Sequence, residues 1–230
     1  MSKTAWIIFT AIVVLLLGGL VLYSRSTSTQ IDVSSVDANV VQAASEQSGN
    51  IGDRVFNNTE SKVVLIEYGD FECPGCASAH PGVKTLLAEY GDRISFVFRN
   101  FPLTSIHPNA RAAAAAAEAA GQQDKYWEMH DLIYENQNAW KTASGTERTD
   151  IFTSYAEQIG LNIDTFTADI ASSAVNQKVL FDQALGNKQA VDSTPTFILN
   201  GEKLSSAVSA GFSNGDLTEI KKLLDAALAE

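Results

Sequence analysis

The sequence predicts an α/β fold in which a strand–helix–strand unit and a strand–strand–helix unit are separated by a block of helices. Two strand-like runs, "KVVLI" and "RISFVF", flank a segment whose apolar residues recur at helical spacing. Helical signals then dominate from residue 108 to about 189. Strand signals return at "TPTFIL", and an amphipathic helix ends the chain. This order is that of a split α/β domain with a helical insertion.

Composition bounds the number of domains and the kind of partner. The 230 residues include 16 Lys and Arg against 27 Asp and Glu, which gives a formal net charge of −11. Such a charge repels nucleic acid and anionic lipid headgroups. The chain beyond its apolar start is long enough for one domain with a full hydrophobic core. We therefore expect no nucleic-acid partner and no need for a stabilising disulfide.

The N-terminal region predicts a membrane anchor and a tether. The uncharged run "AWIIFTAIVVLLLGGLVLY" nearly spans a hydrocarbon core of about 30 Å as a helix. A cleaved signal peptide is the alternative, but the run is long for one and no small-x-small site follows. We expect a short cytoplasmic segment at residues 1–4, a signal-anchor transmembrane helix at 5–23 and a flexible linker at 24–60. The remaining domain, 61–230, would lie on the extracytoplasmic (periplasmic) side of the cell membrane.

The first half of this domain predicts a parallel crossover. Val63–Ile66 are continuously apolar, as in a central strand covered on both faces, and Glu67 ends that run. Apolar residues then follow a helical period until Gly91. The second strand, "RISFVFRNFP", closes at Pro102. A strand, a helix and a strand in succession form a right-handed parallel unit.

The helical insertion, at about residues 104–189, is followed by a hairpin. "ARAAAAAAEAA" has the strongest helix propensity available, and "DKYWEMHDLIYENQ" places aromatic residues along one stripe. Asn200-Gly201 is a two-residue turn signal between an apolar strand and its antiparallel partner. The hairpin returns the chain to the sheet.

Both cysteines of the chain lie two residues apart, in "DFECPGCASAH" between the first strand and its helix. A disulfide across so short a loop removes little unfolded-state entropy, which disfavours a structural staple. Cys73 would lie at the helix N-terminus, where unpaired N–H groups and the dipole stabilise a thiolate. Pro74 suits the first helical position because it lacks an N–H. We predict Cys73 to be the exposed, attacking sulfur and Cys76 the buried, resolving one.

The thiolate pKa bears on the direction of electron flow. A lowered pKa of Cys73 stabilises the reduced form and makes the disulfide more oxidising. Glu72 would oppose this with a negative charge beside the sulfur, and Gly75 supplies no side chain that could donate a proton or a charge. The sequence therefore predicts a moderate oxidant.

Five motifs follow one another from "YGDFECPGC" through "FRNFPL", "HPNARAAAAAAEAA" and "YWEMHDLIYENQ" to "STPTFILNG". Together they resemble the DsbA-like branch of the thioredoxin superfamily, including its membrane-tethered members, over about residues 61–230. The resemblance implies a thioredoxin fold with a helical insertion and thiol–disulfide exchange. It also implies a redox-active Cys73–Cys76 disulfide with no further cofactor. The implied partners are reduced exported proteins and a membrane thiol reoxidant, DsbB-like or VKOR-like.

Three further residues carry over by position. Thr194-Pro195 looks like the family's cis-proline pair, in which the residue before the proline presents its backbone to the substrate. A trans proline at a strand start is the alternative. Glu67 lies six residues before Cys73, where this superfamily often has a buried acid beneath the disulfide. Such a carboxyl would have a raised pKa and could exchange a proton with Cys76; the alternative is an acid that reaches water at the strand end.

The histidines raise the possibility of a metal site. His80 lies four residues after Cys76 and could approach the same helix face, which would give a Cys, Cys, His set. The chain has no further cysteine to complete a tetrahedral set. We therefore predict no metal site and expect His80 to be a partly exposed helix residue. His107 and His130 are expected to be a helix-start neighbour and a packed stripe residue.

The predicted function is a membrane-anchored thiol:disulfide oxidoreductase that forms disulfides in exported proteins through Cys73 and Cys76. An extracytoplasmic thiol reductase, for example in cytochrome maturation, is the alternative, and the redox potential separates the two. An isomerase is less expected because residues 24–60 lack the composition of a folded dimerisation domain. A non-catalytic metal carrier using Cys73, Cys76 and His80 is the alternative from another class.

Overall fold

The computed structural model describes residues 31–57 and 60–229, together with residues 6, 9–10, 12–15 and 18. The chain divides into two units, 1–31 and 32–230. Residues 6, 9–10, 12–15 and 18 of the first unit are helical. The cytoplasmic segment predicted at 1–4 and most of the anchor predicted at 5–23 lie outside the described residues. Among the described residues, no helix has the length and hydropathy needed to span a membrane.

The second unit is built on a mixed sheet, whose described strands number five. They are β1 (Arg54–Phe56), β2 (Val64–Gly69), β3 (Ser95–Asn100), β4 (Thr196–Leu199) and β5 (Glu202–Lys203). Their spatial order is β1-β3-β2-β4-β5. The helix α1 (Pro74–Tyr90) joins β2 to β3, which pair in parallel, and the other neighbouring strands are antiparallel. The predicted crossover unit and the final hairpin are confirmed.

The helical insertion lies between β3 and β4, as predicted. Its helices are α2 (Ala110–Gly121), α3 (Tyr126–Glu135), α4 (Gln137–Trp140), α5 (Gly145–Gln158), α6 (Ile163–Ile170) and α7 (Ser173–Lys188). The alanine-rich helix α2 is almost wholly buried, and its small side chains let neighbouring helices approach closely. A large part of the hydrophobic core is therefore formed between the insertion and one face of the sheet.

One element near the C-terminus differs from the expectation. The sequence predicts only the antiparallel partner strand and one amphipathic helix after Asn200-Gly201, but a further helix, α8 (Ser206–Asn214), lies between the hairpin and the final helix α9 (Thr218–Leu228). The hydroxyl of Ser205 caps α8 by accepting a hydrogen bond from the N–H of Val208. Phe212 of this helix stacks on Phe197 of β4, with ring centroids 4.2 Å apart. The cap and the aromatic contact stabilise this helix against the sheet.

The central strand β2 is buried along its whole length, as its apolar sequence predicts. Glu67 does not end the strand, which continues to Gly69. It pairs in register with Phe98 on one side and Phe197 on the other. The carboxyl group is thus held within the sheet rather than at its edge.

Residues 32–57 differ from the flexible linker predicted for 24–60. Val33, Ala38 and Ile51 are buried, and β1 extends the sheet beside β3. Residues 24–30 and 58–59 lie outside the described part of the chain. The polar composition of this segment suggested a flexible tether. The segment packs on the domain all the same, because polar contacts hold it there.

A buried ion-pair network provides these contacts. Arg99 of β3 has no exposed surface, and its guanidinium donates to Oδ2 of Asp53 at 2.7 Å and to the carbonyl of Ala38 at 2.5 Å. Lys178 of α7, also fully buried, donates to Oδ1 of Asp53 at 3.1 Å and pairs with Asp182. A buried cation is tolerated only with such partners. The segment before β1 is therefore part of the folded domain.

We expect Asp53→Asn to lower the free energy of unfolding by about 3–5 kcal/mol, because it leaves two buried cations with one carboxylate fewer. Chemical denaturation of the full chain measures this loss. Asp37→Asn is the matched control, since Asp37 lies exposed in the same segment and its loss of charge should change stability little. Equal stability of the two variants would contradict the structural role given to Asp53.

Candidate active site

The two cysteines lie at the junction between β2 and α1. Cys73 is the N-cap residue of α1, with an extended backbone, and Pro74 is the first residue of the helix. Proline fits there because its missing N–H would have no intrahelical partner. Cys73 retains 8% of its surface and Cys76 retains none. Both are free thiols in this structure. Solvent access is thus restricted to Cys73, although less of it is exposed than the sequence suggested.

The environment of Cys73 favours a thiolate. The Cys73 thiol donates to the carbonyl oxygen of Thr194 at 3.3 Å, a contact that by itself favours the protonated form. Stronger effects oppose it: hydrogen bonding from the Cys76 thiol is the main cause that lowers the pKa of Cys73, from 9.0 to about 5, against the opposing effect of burial. The Thr194 side chain and the backbone N–H groups of Gly75 and Cys76 add to the shift. These N–H groups belong to the first turn of α1, where the helix dipole also favours an anion.

Cys76 has the opposite character. Burial raises its pKa well above 9.0, and the hydrogen bond to Cys73 and the negative charge of Glu67 raise it further. The backbone N–H of Asp70 donates to its Sγ at 3.5 Å. The pair therefore holds one proton, on Cys76, over the pH range in which Cys73 is ionised.

Glu67 lies buried in β2, with 3% of its surface exposed. Burial, and then the negative charge of Cys73, raise the pKa of Glu67 from 4.5 to about 8. The alternative of an acid that reaches water at the strand end is wrong. The carboxyl is protonated at neutral pH and is electrostatically coupled to both cysteines.

The Thr194–Pro195 peptide bond is cis, as predicted. It lies beside the cysteine loop, because the Thr194 carbonyl contacts Cys73 and a Cβ added at Gly75 would lie 3.3 Å from Cδ of Pro195. The cysteine loop at Gly75 and the cis-proline loop are therefore separated by little more than contact distance. A larger residue at this position would have to displace one of them.

Glu72 does not place a charge beside Cys73, and that expectation is wrong. Its carboxylate is buried and accepts a hydrogen bond from the backbone N–H of Asn109 at 2.6 Å, at the start of α2. Desolvation raises the pKa of Glu72, and the Asn109 hydrogen bond partly offsets this rise. A helix N-terminus attracts a carboxylate, which explains why Glu72 turns toward α2.

Sequence reasoning missed Asp70 and Gln137. Oδ2 of Asp70 accepts from the Leu103 N–H at 2.8 Å and lies 2.7 Å from Nδ1 of His107. Gln137, at the start of α4, donates through Nε2 to the carbonyls of Phe71 (2.8 Å) and Cys73 (3.1 Å). Both residues fix the cysteine loop to the helical insertion. The position of Asp70 directly after a buried central strand was the available signal for this residue, whereas Gln137 carried none.

A cavity of about 400 Å³ opens beside the cysteine loop and the cis-proline. Its lining includes Gly75 and Pro195, Lys203 and Leu204 of the hairpin region, and residues of α8. The polar members are mostly serines, and Pro195, Leu204 and Ala210 are apolar. The cavity is thus lined mainly by small residues of mixed polarity, with Lys203 as its cationic side chain.

The metal set proposed for a carrier does not form. Within the described residues, the one compact group of His, Cys, Asp and Glu is His80, His130 and Asp131, which includes neither cysteine. His80 is only 4% exposed, so the expectation of a partly exposed helix residue is wrong. His80 turns from the cysteines toward α3, where its ring stacks on Tyr134.

A Cys-x-x-Cys pair at the start of a helix after a central strand, beside a cis-proline, defines a thiol–disulfide oxidoreductase of the thioredoxin type. The family model described as thioredoxin matches residues 49–225. The chain belongs to this family.

Solved structures share its fold. Oxidised BdbD from Bacillus subtilis is 22% identical with a TM-score of 0.61, covering 83% of this chain and 98% of that chain. The thiol-disulfide exchange protein alpha-DsbA2 from Wolbachia pipientis is 20% identical with a TM-score of 0.64, covering 89% and 98%. The fold is therefore DsbA-like, including its helical insertion.

The chain is also similar to part of longer proteins. The Na(+)/H(+) antiporter NhaA 1 of Salinispora arenicola is 38% identical over 169 residues, which cover 70% of this chain and 25% of that protein. The chain spans about a quarter of the length of the curated relatives it matches.

We expect the alkylation rate of Cys73 in the reduced protein to reach half its maximum near pH 5, because the thiolate is the reactive form. Cys76→Ala should shift this midpoint upward, since it removes the strongest hydrogen bond to Cys73. Glu72→Gln, a control whose carboxylate is bound at α2, should leave the midpoint unchanged. Alkylation rates with a haloacetamide between pH 4 and 9 give the midpoint for the wild-type protein and for both variants.

The same shift has a consequence for stability. The folded pKa of Cys73 lies below its unfolded value, so the thiolate contributes fully to the stability of the reduced protein above pH 9. This contribution disappears as the pH falls to about 5. A reduced form that gains no stability over the oxidised form between these values would contradict the assignment.

Proposed function

We propose that this protein is an extracytoplasmic thiol:disulfide oxidoreductase that forms disulfides in exported proteins. The observation that carries the proposal is the difference between the two thiols, with the pKa of Cys73 lowered to about 5 and that of Cys76 raised. A stabilised Cys73 thiolate favours the reduced enzyme, which makes its disulfide a better oxidant.

The chemistry follows from this difference. A substrate thiolate attacks Sγ of Cys73 in the oxidised enzyme, and the electrons of the broken S–S bond go to Cys76. A second substrate thiolate then attacks the substrate sulfur of the mixed disulfide and releases Cys73 as a thiolate. Two electrons pass to the cysteine pair, and the substrate gains one disulfide. Cys73 is a good leaving group because its pKa is low.

Glu67 would supply the proton that Cys76 needs. Its carboxyl is protonated near neutral pH and could transfer the proton to the departing Cys76, directly or through one water. In the reverse direction the carboxylate would accept the proton of Cys76 as that thiol attacks a mixed disulfide. Glu67 thus serves as a general acid and base for the buried thiol alone.

The substrate would bind across the cis-proline loop. Thr194, whose carbonyl contacts Cys73, would offer its backbone to an extended peptide, and Pro195 would hold that backbone in position. The adjoining cavity of about 400 Å³ would accept side chains that flank the substrate cysteine. Its lining joins serines and Lys203 with Leu204 and Ala210, which suits side chains of mixed polarity.

The location and the reoxidant belong to the same proposal. The apolar run at 5–23 supports a membrane anchor that holds the domain on the extracytoplasmic side. A tethered domain would meet a membrane thiol oxidant, DsbB-like or VKOR-like, at a high effective concentration. That partner would take the two electrons from Cys73 and Cys76.

We expect Cys76→Ser to accumulate mixed disulfides with exported proteins, since the Cys73 thiolate can still attack a protein disulfide and displace one of its sulfurs as a thiolate, while no Cys76 thiol remains to release the enzyme. Cys73→Ser is the matched control and should accumulate none. Gel separation under non-reducing conditions, followed by identification of the linked cysteine, measures this. Trapping through Cys76 would reverse the roles of the two residues.

The redox potential separates an oxidase from a reductase. Equilibration of the full chain with glutathione should give a potential above that of thioredoxin, which is about −270 mV. A value at or below it would favour the reductase alternative.

We expect Glu67→Gln to slow the release of mixed disulfides by about 100-fold, because it removes the proton exchange with Cys76. The pKa of Cys73 should change much less. Glu72→Gln is the matched control, as it removes a neighbouring buried carboxylate that binds α2 instead. Stopped-flow release rates of a mixed disulfide with a small thiol provide the measurement, and an unchanged rate in Glu67→Gln would remove Glu67 from the mechanism.

A further inference from the structure

A second cluster of reactive side chains lies where α1 packs against α3. His80 of α1 and His130 and Asp131 of α3 each place one donor atom within 4.8 Å of the others. All three line a cavity of about 160 Å³ whose walls are otherwise mostly apolar and include neither cysteine. The mechanism of thiol exchange uses none of these residues.

The histidines are buried but poorly satisfied. His80 is 4% exposed and His130 is 3% exposed. Both ring nitrogens of His80, and Nε2 of His130, are buried without a hydrogen-bond partner in the described structure. An unsatisfied buried polar group costs about 1–3 kcal/mol, so native proteins contain few of them. Of these three nitrogens, Nε2 of His80 lies beside the carboxylate of Asp131 without a hydrogen bond to it, which indicates a missing ligand at that atom.

The distances suit a small cation. Nε2 of His80 lies 3.5 Å from Oδ1 of Asp131, and Nδ1 of His130 lies 3.1 Å from the same oxygen. Two ligands at about 2.1 Å from a tetrahedral zinc ion are about 3.4 Å apart.

We infer that His80, His130 and Asp131 bind a divalent transition-metal ion, with Zn²⁺ as the ion best suited to two imidazoles and one carboxylate. The fourth coordination position would open into the cavity, to water or to Glu135, whose Oε1 lies 4.0 Å from Nε2 of His80. The inference does not depend on the proposed function, because no sulfur takes part.

Lys84 is the competitor of the metal ion. Its Nζ pairs with Oδ2 of Asp131 and with Oε1 of Glu135, each at 2.8 Å. The side chain is 48% exposed, so it can move into solvent and release both carboxylates. The charge of Lys84 should therefore lower the affinity for the metal ion without preventing binding.

A metal ion here would link α1 to the helical insertion. Because the three ligands are brought together only in the folded state, binding would stabilise that state by mass action. The helix so fixed is the one that carries Cys73 and Cys76 at its start.

The test uses the full chain in detergent, stripped with a chelator and oxidised so that Cys73 and Cys76 are joined and cannot bind metal. Calorimetric titration with Zn²⁺ should show one site, and Zn²⁺ should raise the melting temperature. Co²⁺ should give the visible absorption of a site with nitrogen and oxygen ligands and no sulfur charge-transfer band. No saturable binding by the oxidised protein would overturn the inference.

Variants identify the ligands. His80→Gln, His130→Gln and Asp131→Asn should each weaken Zn²⁺ binding at least about 100-fold, since loss of an outer-shell partner alone costs about 10–100-fold. His107→Gln replaces the remaining histidine of the chain and should keep the wild-type affinity. If all four variants had the same Zn²⁺ affinity, or if His107→Gln lost as much Zn²⁺ affinity as the ligand variants, the inference would be overturned.

Lys84→Met provides a result that general damage to the fold cannot imitate, because removal of the competing charge should tighten Zn²⁺ binding. If His80→Gln or His130→Gln fails to fold by circular dichroism, Asp131→Asn and Lys84→Met still decide the outcome, since Asp131 is 32% exposed and Lys84 is 48% exposed. Weaker or unchanged binding in Lys84→Met would contradict a site at Asp131.

Discussion

The buried guanidinium of Arg99 in β3 constrains the whole domain. An unpaired cation at this depth would cost several kcal/mol, so the fold must bring carboxylates and carbonyls to it. Asp53 comes from the segment before β1, and the hydroxyl of Tyr68 comes from β2 at 3.0 Å. Lys178 of α7 shares Asp53 and is itself paired with Asp182. The sheet, the insertion and the N-terminal segment therefore fold as one unit, since each supplies part of a single network.

The same packing creates the difference between the two thiols. Cys73 and Cys76 are only three residues apart, yet their pKa values shift in opposite directions. Cys73 caps the helix and receives hydrogen bonds, whereas Cys76 is fully buried inside the helix and near the charge of Glu67. Gln137 donates to the carbonyl of Cys73 and the Asp70 N–H donates to Cys76, and these bonds hold both cysteines in place. The chemistry therefore depends on how a rigid junction is buried rather than on the two sulfurs alone.

Local signals explain which parts of this structure the sequence could predict. The crossover around α1 follows from periodicity and the position of Pro74, and the hairpin follows from Asn200-Gly201, because both depend on neighbouring residues. The packing of residues 32–57 does not follow from local signals, since Asp53 is held by Arg99, which lies in a strand distant in the sequence. The orientation of the Glu72 side chain could not be predicted either. The sequence shows its charge but does not show that its hydrogen-bond partner is the Asn109 N–H. Long-range polar contacts were the missing information in both cases.

His80 shows how the insertion adds to the basic fold. Its spacing of four residues from Cys76 suggested a shared face, but the ring packs on Tyr134 and beside His130 of α3 instead. The start of α1 is held by Gln137 and its next turn by the histidine cluster, so the insertion contacts this helix at both places. A ligand at the cluster would thus act on the orientation of α1 while leaving the sulfur chemistry itself untouched. A ligand at the histidine cluster could affect the cysteine pair through α1 alone, because both sites share this one rigid helix.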